Sequence, residues 1–168
     1  KEEFRNLADL EVGDTIFFMA DKEERAAYYA GMIRNELGEK LDLIEEDAYR
    51  FCYVNDFPMF ERDPETKKIG FTHNPFSMPQ GGLKALEDAE GDMDKLLAIK
   101  ADQYDLVVNG YESASGAVRN HDPEIMVKAF EMVGLGEADV KAKFPAMYNA
   151  FTYGAPPHAG AAPGVDRL

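Results

Sequence analysis

Apolar and polar positions along this chain switch between a two-residue and a three-to-four-residue period, and the switches mark its elements. Val12-Gly13-Asp14-Thr15-Ile16-Phe17-Phe18-Met19-Ala20 joins a turn signal to a β-prone apolar run and predicts a strand. Asp21 follows as a helix cap, and Ala26, Ala27, Ala30, Ile33 and Leu37 recur at helical spacing, which predicts a helix to about Gly38 with that stripe buried. Residues 51–60 read as a second strand, Asp63-Pro64-Glu65-Thr66 as a turn, and residues 69–73 as the returning strand of a hairpin. Pro75, Pro79, Gly81 and Gly82 break the next stretch into a loop, with a short helix over 83–87.

Residues 104–112 form the strongest strand pattern, Ser113-Ala114-Ser115-Gly116 a turn, and residues 117–121 the return, which predicts a second hairpin. Asp122-Pro123-Glu124 offers a cap, a first-turn proline and a favourable acid to a helix closing at Gly134. A last helix covers 137–153, kinked or divided at Pro145. Residues 160–168 read as a glycine-punctuated strand turning into the first turn of a helix. Hairpins alternating with helices define an α+β fold built on an antiparallel sheet.

Composition narrows the function. With 45% hydrophobic residues in 168, the chain can bury a core, so disorder is excluded. Thirty-two acidic against eighteen basic residues give a formal charge of −14, opposite to that of a module that tracks phosphates along nucleic acid. One cysteine, Cys52, excludes an internal disulfide and fits a reducing, cytoplasmic compartment; no apolar run reaches the length of a membrane span. Lys1-Glu2-Glu3-Phe4 opens as if inside a helix and the last helix stops at its own start, so both ends are expected to be cuts in a longer protein.

Four groups of residues can carry chemistry. Asp105 and Glu112, seven apart, point to opposite faces of one strand unless it bulges, and Asn109-Gly110 is where a bulge fits. Brought together they suit Mg²⁺; left apart they are solvated strand ends. Arg119, across the expected turn from Glu112, either pairs with it or clamps a carboxylate or phosphate through its planar fork. His73 stands at the mouth of the glycine- and proline-rich loop, as a hydrogen-bonded loop residue or a ligand contact. Gly164, Asp166 and Arg167 make a turn that can approach a triphosphate. His73, His121 and His158 are too dispersed for a zinc set, and no lysine-bearing phosphate loop, dinucleotide fingerprint or nucleophile elbow is present.

In this order the segments resemble the bacterial type of aspartyl-tRNA synthetase, a class II aminoacyl-tRNA synthetase. The carrying residues are Asp56-Phe57-Pro58-Met59-Phe60-Glu61, His73-Asn74-Pro75-Phe76, Tyr104-Asp105-Leu106-Val107-Val108-Asn109-Gly110-Tyr111-Glu112, Arg119, Tyr153-Gly154-Ala155-Pro156-Pro157-His158-Ala159-Gly160 and Gly164-Val165-Asp166-Arg167-Leu168. The resemblance implies part of an α+β insertion domain over residues 1–49 and the C-terminal part of the class II catalytic domain over 50–168. It implies activation of L-aspartate with ATP and Mg²⁺, transfer to tRNA(Asp), and a homodimeric parent.

By the same resemblance His73 and Arg119 bind L-aspartate, and Asp105 and Glu112 hold the metal. Glu112, Gly164, Val165, Asp166 and Arg167 contact ATP, with Glu112, Arg119 and Arg167 as the catalytic residues. Asn74 departs from the second histidine of many relatives, and Pro163 from an aromatic, removing a ladder hydrogen bond. The dimer motif, the motif gripping the α-phosphate, the aspartate-sensing loop and the anticodon-binding barrel are expected upstream, so this segment alone is expected to be inactive. The alternative is a non-catalytic module derived from the same fold, binding a nucleotide, an amino acid or a protein.

Overall fold

The computed structural model describes residues 2–167; Leu168, which closes the last motif, lies outside them, as does Lys1. Helices α1 (Glu2–Leu7) and α2 (Glu23–Lys40) belong to one unit, Lys1–Ala48, and everything after belongs to another, Tyr49–Leu168. The strand expected over residues 12–20 does not form. A β-prone run becomes a strand only when a second edge takes its N–H and C=O groups, and the described residues of this unit offer none.

Helix α2 begins one residue later than a cap at Asp21 implies, because the Asp21 carboxylate accepts a 2.7 Å hydrogen bond from the Lys22 N–H and pairs with Arg25 at 3.3 Å instead of capping. Its predicted stripe faces Phe17, Phe18 and Met19, but Ala27 and Ala30 are exposed and no described residue of the unit is buried.

The second unit starts with β1 (Phe51–Asn55). The single strand expected over 51–60 breaks at Asp56, whose φ of 61° is left-handed, and resumes as β2 (Phe60–Arg62) in a separate two-stranded sheet with β3 (Ile69–Phe71). Asp63 accepts from the N–H groups of Glu65 and Thr66, so that hairpin turns where the sequence places it. After α3 (Gly82–Asp88) comes α4 (Met93–Ala98), absent from the sequence-based expectation although Asp92 caps it by accepting from the Lys95 N–H.

Strands β4 (Gln103–Val108) and β5 (Tyr111–Val118) meet at Asn109-Gly110, with φ values of 50° and 83°. Two successive left-handed residues are the signature of a tight primed hairpin turn. The turn therefore lies at 109–110, not at 113–116. Helix α5 (Pro123–Met132) is capped by Asp122 with Pro123 in its first turn, and Pro145 divides the last helix into α6 (Glu137–Lys143) and α7 (Pro145–Thr152).

Strand β6 (Ala159–Pro163) completes an antiparallel sheet of order β1-β4-β5-β6 and runs into a 3₁₀ turn, Val165–Arg167. Two apolar clusters anchor this unit. Met59, Phe60, Leu86, Leu96 and Ile99 form one, and Met126, Phe130 and Val140 the other; Phe71 packs against both. The fold is α+β with an antiparallel sheet, as the patterning predicts.

Candidate functional site

The shifted turn changes where the acidic pair stands. Asp105 lies on β4 opposite Ser115 of β5, and Glu112 lies on β5 opposite Val107 of β4. Register slips between Leu106 and Val107, because Ser113 is an extra residue on β5. Directly opposed residues share a face, and Asp105 and Val107 are two apart, so Asp105 and Glu112 face the same way. The bulge that unites them is at Ser113, and Asn109-Gly110 is the turn rather than the bulge.

Arg119 is on the same face, two residues beyond Ala117, which opposes Gln103. It does not sit across a turn from Glu112. Both belong to one strand and its extension, roughly 20 Å apart at the usual rise per residue. Arg119 enters no ion pair among the described residues, so the salt bridge with Glu112 expected as one alternative is absent. Its guanidinium lies over Gly160, where an added Cβ would stand 3.6 Å from Nη2. Between the charged ends the face is small: Ser115, Ala117, Gly160 and Ala162 occupy it in cross-strand register.

At the Glu112 end, the Arg167 Nη1 donates to the Glu112 carbonyl at 2.7 Å, and the Gly164 N–H donates to the Ser113 carbonyl at 2.8 Å. One guanidinium donor is thus spent on holding the side chain against β5, and the others remain. The Gly164 N–H is also committed, so this glycine offers close approach rather than a donor. Glu112, Ala162, Gly164, Val165, Asp166 and Arg167 line one cleft of about 300 Å³.

Asp105 tests the fit of a divalent cation. Its Oδ1 is buried and has no hydrogen-bond partner, and a carboxylate oxygen withdrawn from water without a donor is costly. An oxygen-seeking cation would satisfy that atom, and Glu112 would offer a second carboxylate on the same face. No cluster of three or more potential metal-ligating side chains occurs among the described residues.

The loop at 73–80 enters the sheet as a wedge. Met78 N–H donates to Val118 O, Asp102 N–H to Met78 O, and Asn120 N–H to Phe76 O, so the loop separates the ends of β4 and β5 and backs Arg119 through the Ser77–Arg119 bridge. His73 opens the loop, exposed, its ring edge-on to Phe57 at 5.3 Å. Patterning does not single out Ser113 as a bulge or Ser77 as part of a wedge, because serine has no patterned role that separates either from an ordinary turn.

Asn120 is wholly buried and neither its Oδ1 nor its Nδ2 has a partner. An unpaired buried amide costs about 1–3 kcal/mol, so Asn120→Leu, which keeps the branched shape and the number of side-chain heavy atoms, is expected to raise the urea midpoint of unfolding. A lower midpoint would mean that the amide is satisfied by bound water.

An antiparallel sheet carrying these charged residues on one face, flanked by helices, is the core of a class II aminoacyl-tRNA synthetase. All of residues 1–168 match the family described as tRNA synthetases class II (D, K and N), and the chain belongs to that family. Within it the similarity is to the bacterial type of aspartyl-tRNA synthetase: 60% identity over 164 residues to an aspartate–tRNA(Asp/Asn) ligase of Zymomonas mobilis, and 53% over 167 residues to one of Rickettsia felis. These alignments cover 96% and 99% of this chain but 27% and 28% of the relatives' own lengths. Among solved structures, an aspartyl tRNA synthetase from Entamoeba histolytica is 24% identical with a TM-score of 0.47, covering 99% of this chain and 26% of its own. No helix among the described residues is long and apolar enough to cross a membrane.

Proposed function

We propose that this chain is a segment of an aspartate–tRNA ligase, with part of an insertion domain up to about residue 49 and half of the aspartate-activating site beyond it. The observation that carries the proposal is a single sheet face with Asp105 and Glu112 toward one end, Arg119, which enters no ion pair among the described residues, at the other, and only small side chains between them on β5 and β6. The reaction is attack by the aspartate α-carboxylate on the α-phosphorus of ATP, giving aspartyl-adenylate and pyrophosphate, followed by transfer to tRNA(Asp) in the cytoplasm by a homodimeric parent. Its main demand is cationic stabilisation of charge spread over phosphate oxygens.

Arg119 holds the substrate side-chain carboxylate with its planar fork, and His73 closes the amino-acid end of the site. Arg167, steadied by the Glu112 carbonyl, turns its free N–H groups toward the triphosphate, while Gly164, Val165 and Asp166 border the nucleotide. Asp105 and Glu112 would hold Mg²⁺, which when bound neutralises phosphate charge. Small residues at 115, 117, 160 and 162 leave room for substrate on the floor.

The test is a chimaera in which residues 1–168 replace the matching segment of the Zymomonas mobilis ligase. It should catalyse aspartate-dependent ATP–pyrophosphate exchange and give none with asparagine. A folded chimaera without exchange would favour the non-catalytic module.

A further inference from the structure

Asp56 and Phe57, at the break between β1 and β2, grip the two ends of the 73–80 loop. The Asp56 carboxylate accepts a 2.9 Å hydrogen bond from Gln80 Nε2, at the far end of the loop, and stands 3.5 Å from Lys100 Nζ. The ring of Phe57, the next residue, meets His73 at the near end. Backbone bonds set Phe57 and Gln80 in place: Ala101 N–H donates to Phe57 O and Gln80 N–H to Lys100 O, each at 2.8 Å. The Gln80 hydrogen bond, and then the Lys100 charge, hold the Asp56 carboxyl below the usual carboxylate range, so it is ionised at neutral pH.

Between its ends the loop is joined to β5 by the Ser77–Arg119 bridge and by the bond from Asn120 N–H to Phe76 O. A shift of the loop therefore moves His73 and the backbone of Arg119 together. The Glu112 and Arg167 end makes none of these contacts.

We infer that Asp56 is a positioning residue for the amino-acid half of the site, fixing His73 and Arg119 through Gln80, Phe57 and the loop; this rests on the roles given to His73 and Arg119 above. The Asp56 and Lys100 side chains are each about half exposed, so the pair contributes little to stability, and its effect belongs in substrate binding. A misplacement of 1 Å at a reacting group can cost about a hundredfold, so a partly loosened loop should cost about tenfold.

Kinetics of the chimaera decide the matter. Asp56→Ala should raise KM for aspartate about tenfold while KM for ATP stays within about twofold, a split that simple loss of fold does not produce. Gln80→Ala should do the same, and the double variant should be no worse than either, as expected for two partners of one contact. Asp56→Asn keeps an oxygen acceptor for Gln80 and should recover most of the parent's KM. An unchanged KM for aspartate, or equal rises for both substrates with a lower melting temperature, would overturn the positioning role. Arg119→Ala separates the two levels: if it retains exchange, the underlying site assignment fails and the positioning role fails with it. Loss of exchange in Arg119→Ala beside a parent-like Asp56→Ala refutes the positioning role alone.

Discussion

Arg119→Ala in the chimaera is expected to lower kcat/KM for aspartate by a factor between about 30 and several thousand, without lowering the melting temperature. The first figure follows from the cost of truncating one partner of a hydrogen-bonded charge pair, about 2–5 kcal/mol, at 1.4 kcal/mol per tenfold. The second follows from the absence of any ion pair at Arg119 among the described residues. A half-buried guanidinium with no counter-ion among the described residues is held there at a cost, and removing it relieves that cost. A structural arginine gives the opposite pattern, with stability falling and catalysis following it. Arg119→Lys separates charge from geometry. It keeps the cation but loses the two parallel N–H donors, so it should recover a minor part of the loss. Exchange at the parental rate in either variant would remove Arg119 from the aspartate site.

On the proposed role of Arg119, selectivity for aspartate would follow from the same contact. Asparagine presents a neutral amide where aspartate presents an anion, and it leaves the guanidinium partly unpaired, a penalty larger than a missing methylene imposes. Arg119→Ala should therefore narrow the preference for aspartate over asparagine as it lowers the rate, since the group that discriminates is also the one removed.

Local chemistry was legible in the sequence wherever one residue dictates the backbone. Asp122-Pro123 starts α5, Pro145 divides α6 from α7, and Asp63 closes the β2–β3 turn, each through a mechanism confined to a few residues. Errors arose where long-range pairing decides. The apolar run over 104–108 masked the Asn109-Gly110 turn, so Glu112 was placed on the strand it faces rather than the one it occupies. The β-prone run at 12–20 stayed unpaired for want of a second edge. The candidate site suffered less than the fold. The bulge at Ser113 gives Asp105 and Glu112 a common face, with the irregularity at Ser113 rather than at Asn109-Gly110. The wedge at 73–80 had no sequence signal beyond its prolines, because its partners lie on 100–102 and 118–120.

Gly116→Val should be among the most destabilising substitutions in the second unit, although valine favours strands and glycine does not. Gly116 is buried on β5 opposite Tyr104, and an added Cβ would stand 2.4 Å from Tyr104 Cζ, 2.5 Å from its hydroxyl oxygen and 2.7 Å from the Gly160 carbonyl oxygen. The tyrosine ring can swing away at some loss of its edge-on contact with Tyr53. The Gly160 carbonyl is backbone of β6 and yields only if β6 separates from β5. Strand propensity spans about 1 kcal/mol, whereas forcing extra carbon into a packed site costs about 1–3 kcal/mol or more, so packing wins. Gly116→Ala should lower the urea midpoint with an unchanged slope, and Gly116→Val should lower it further. Tyr104→Ala combined with Gly116→Ala should recover only the ring's share, leaving the clash with β6. Because β6 carries Gly160 beneath Arg119 and leads directly to Gly164 and Arg167, any variant that still folds should weaken aspartate and ATP binding together. Full recovery of stability in the double variant would show that β6 does not constrain this position.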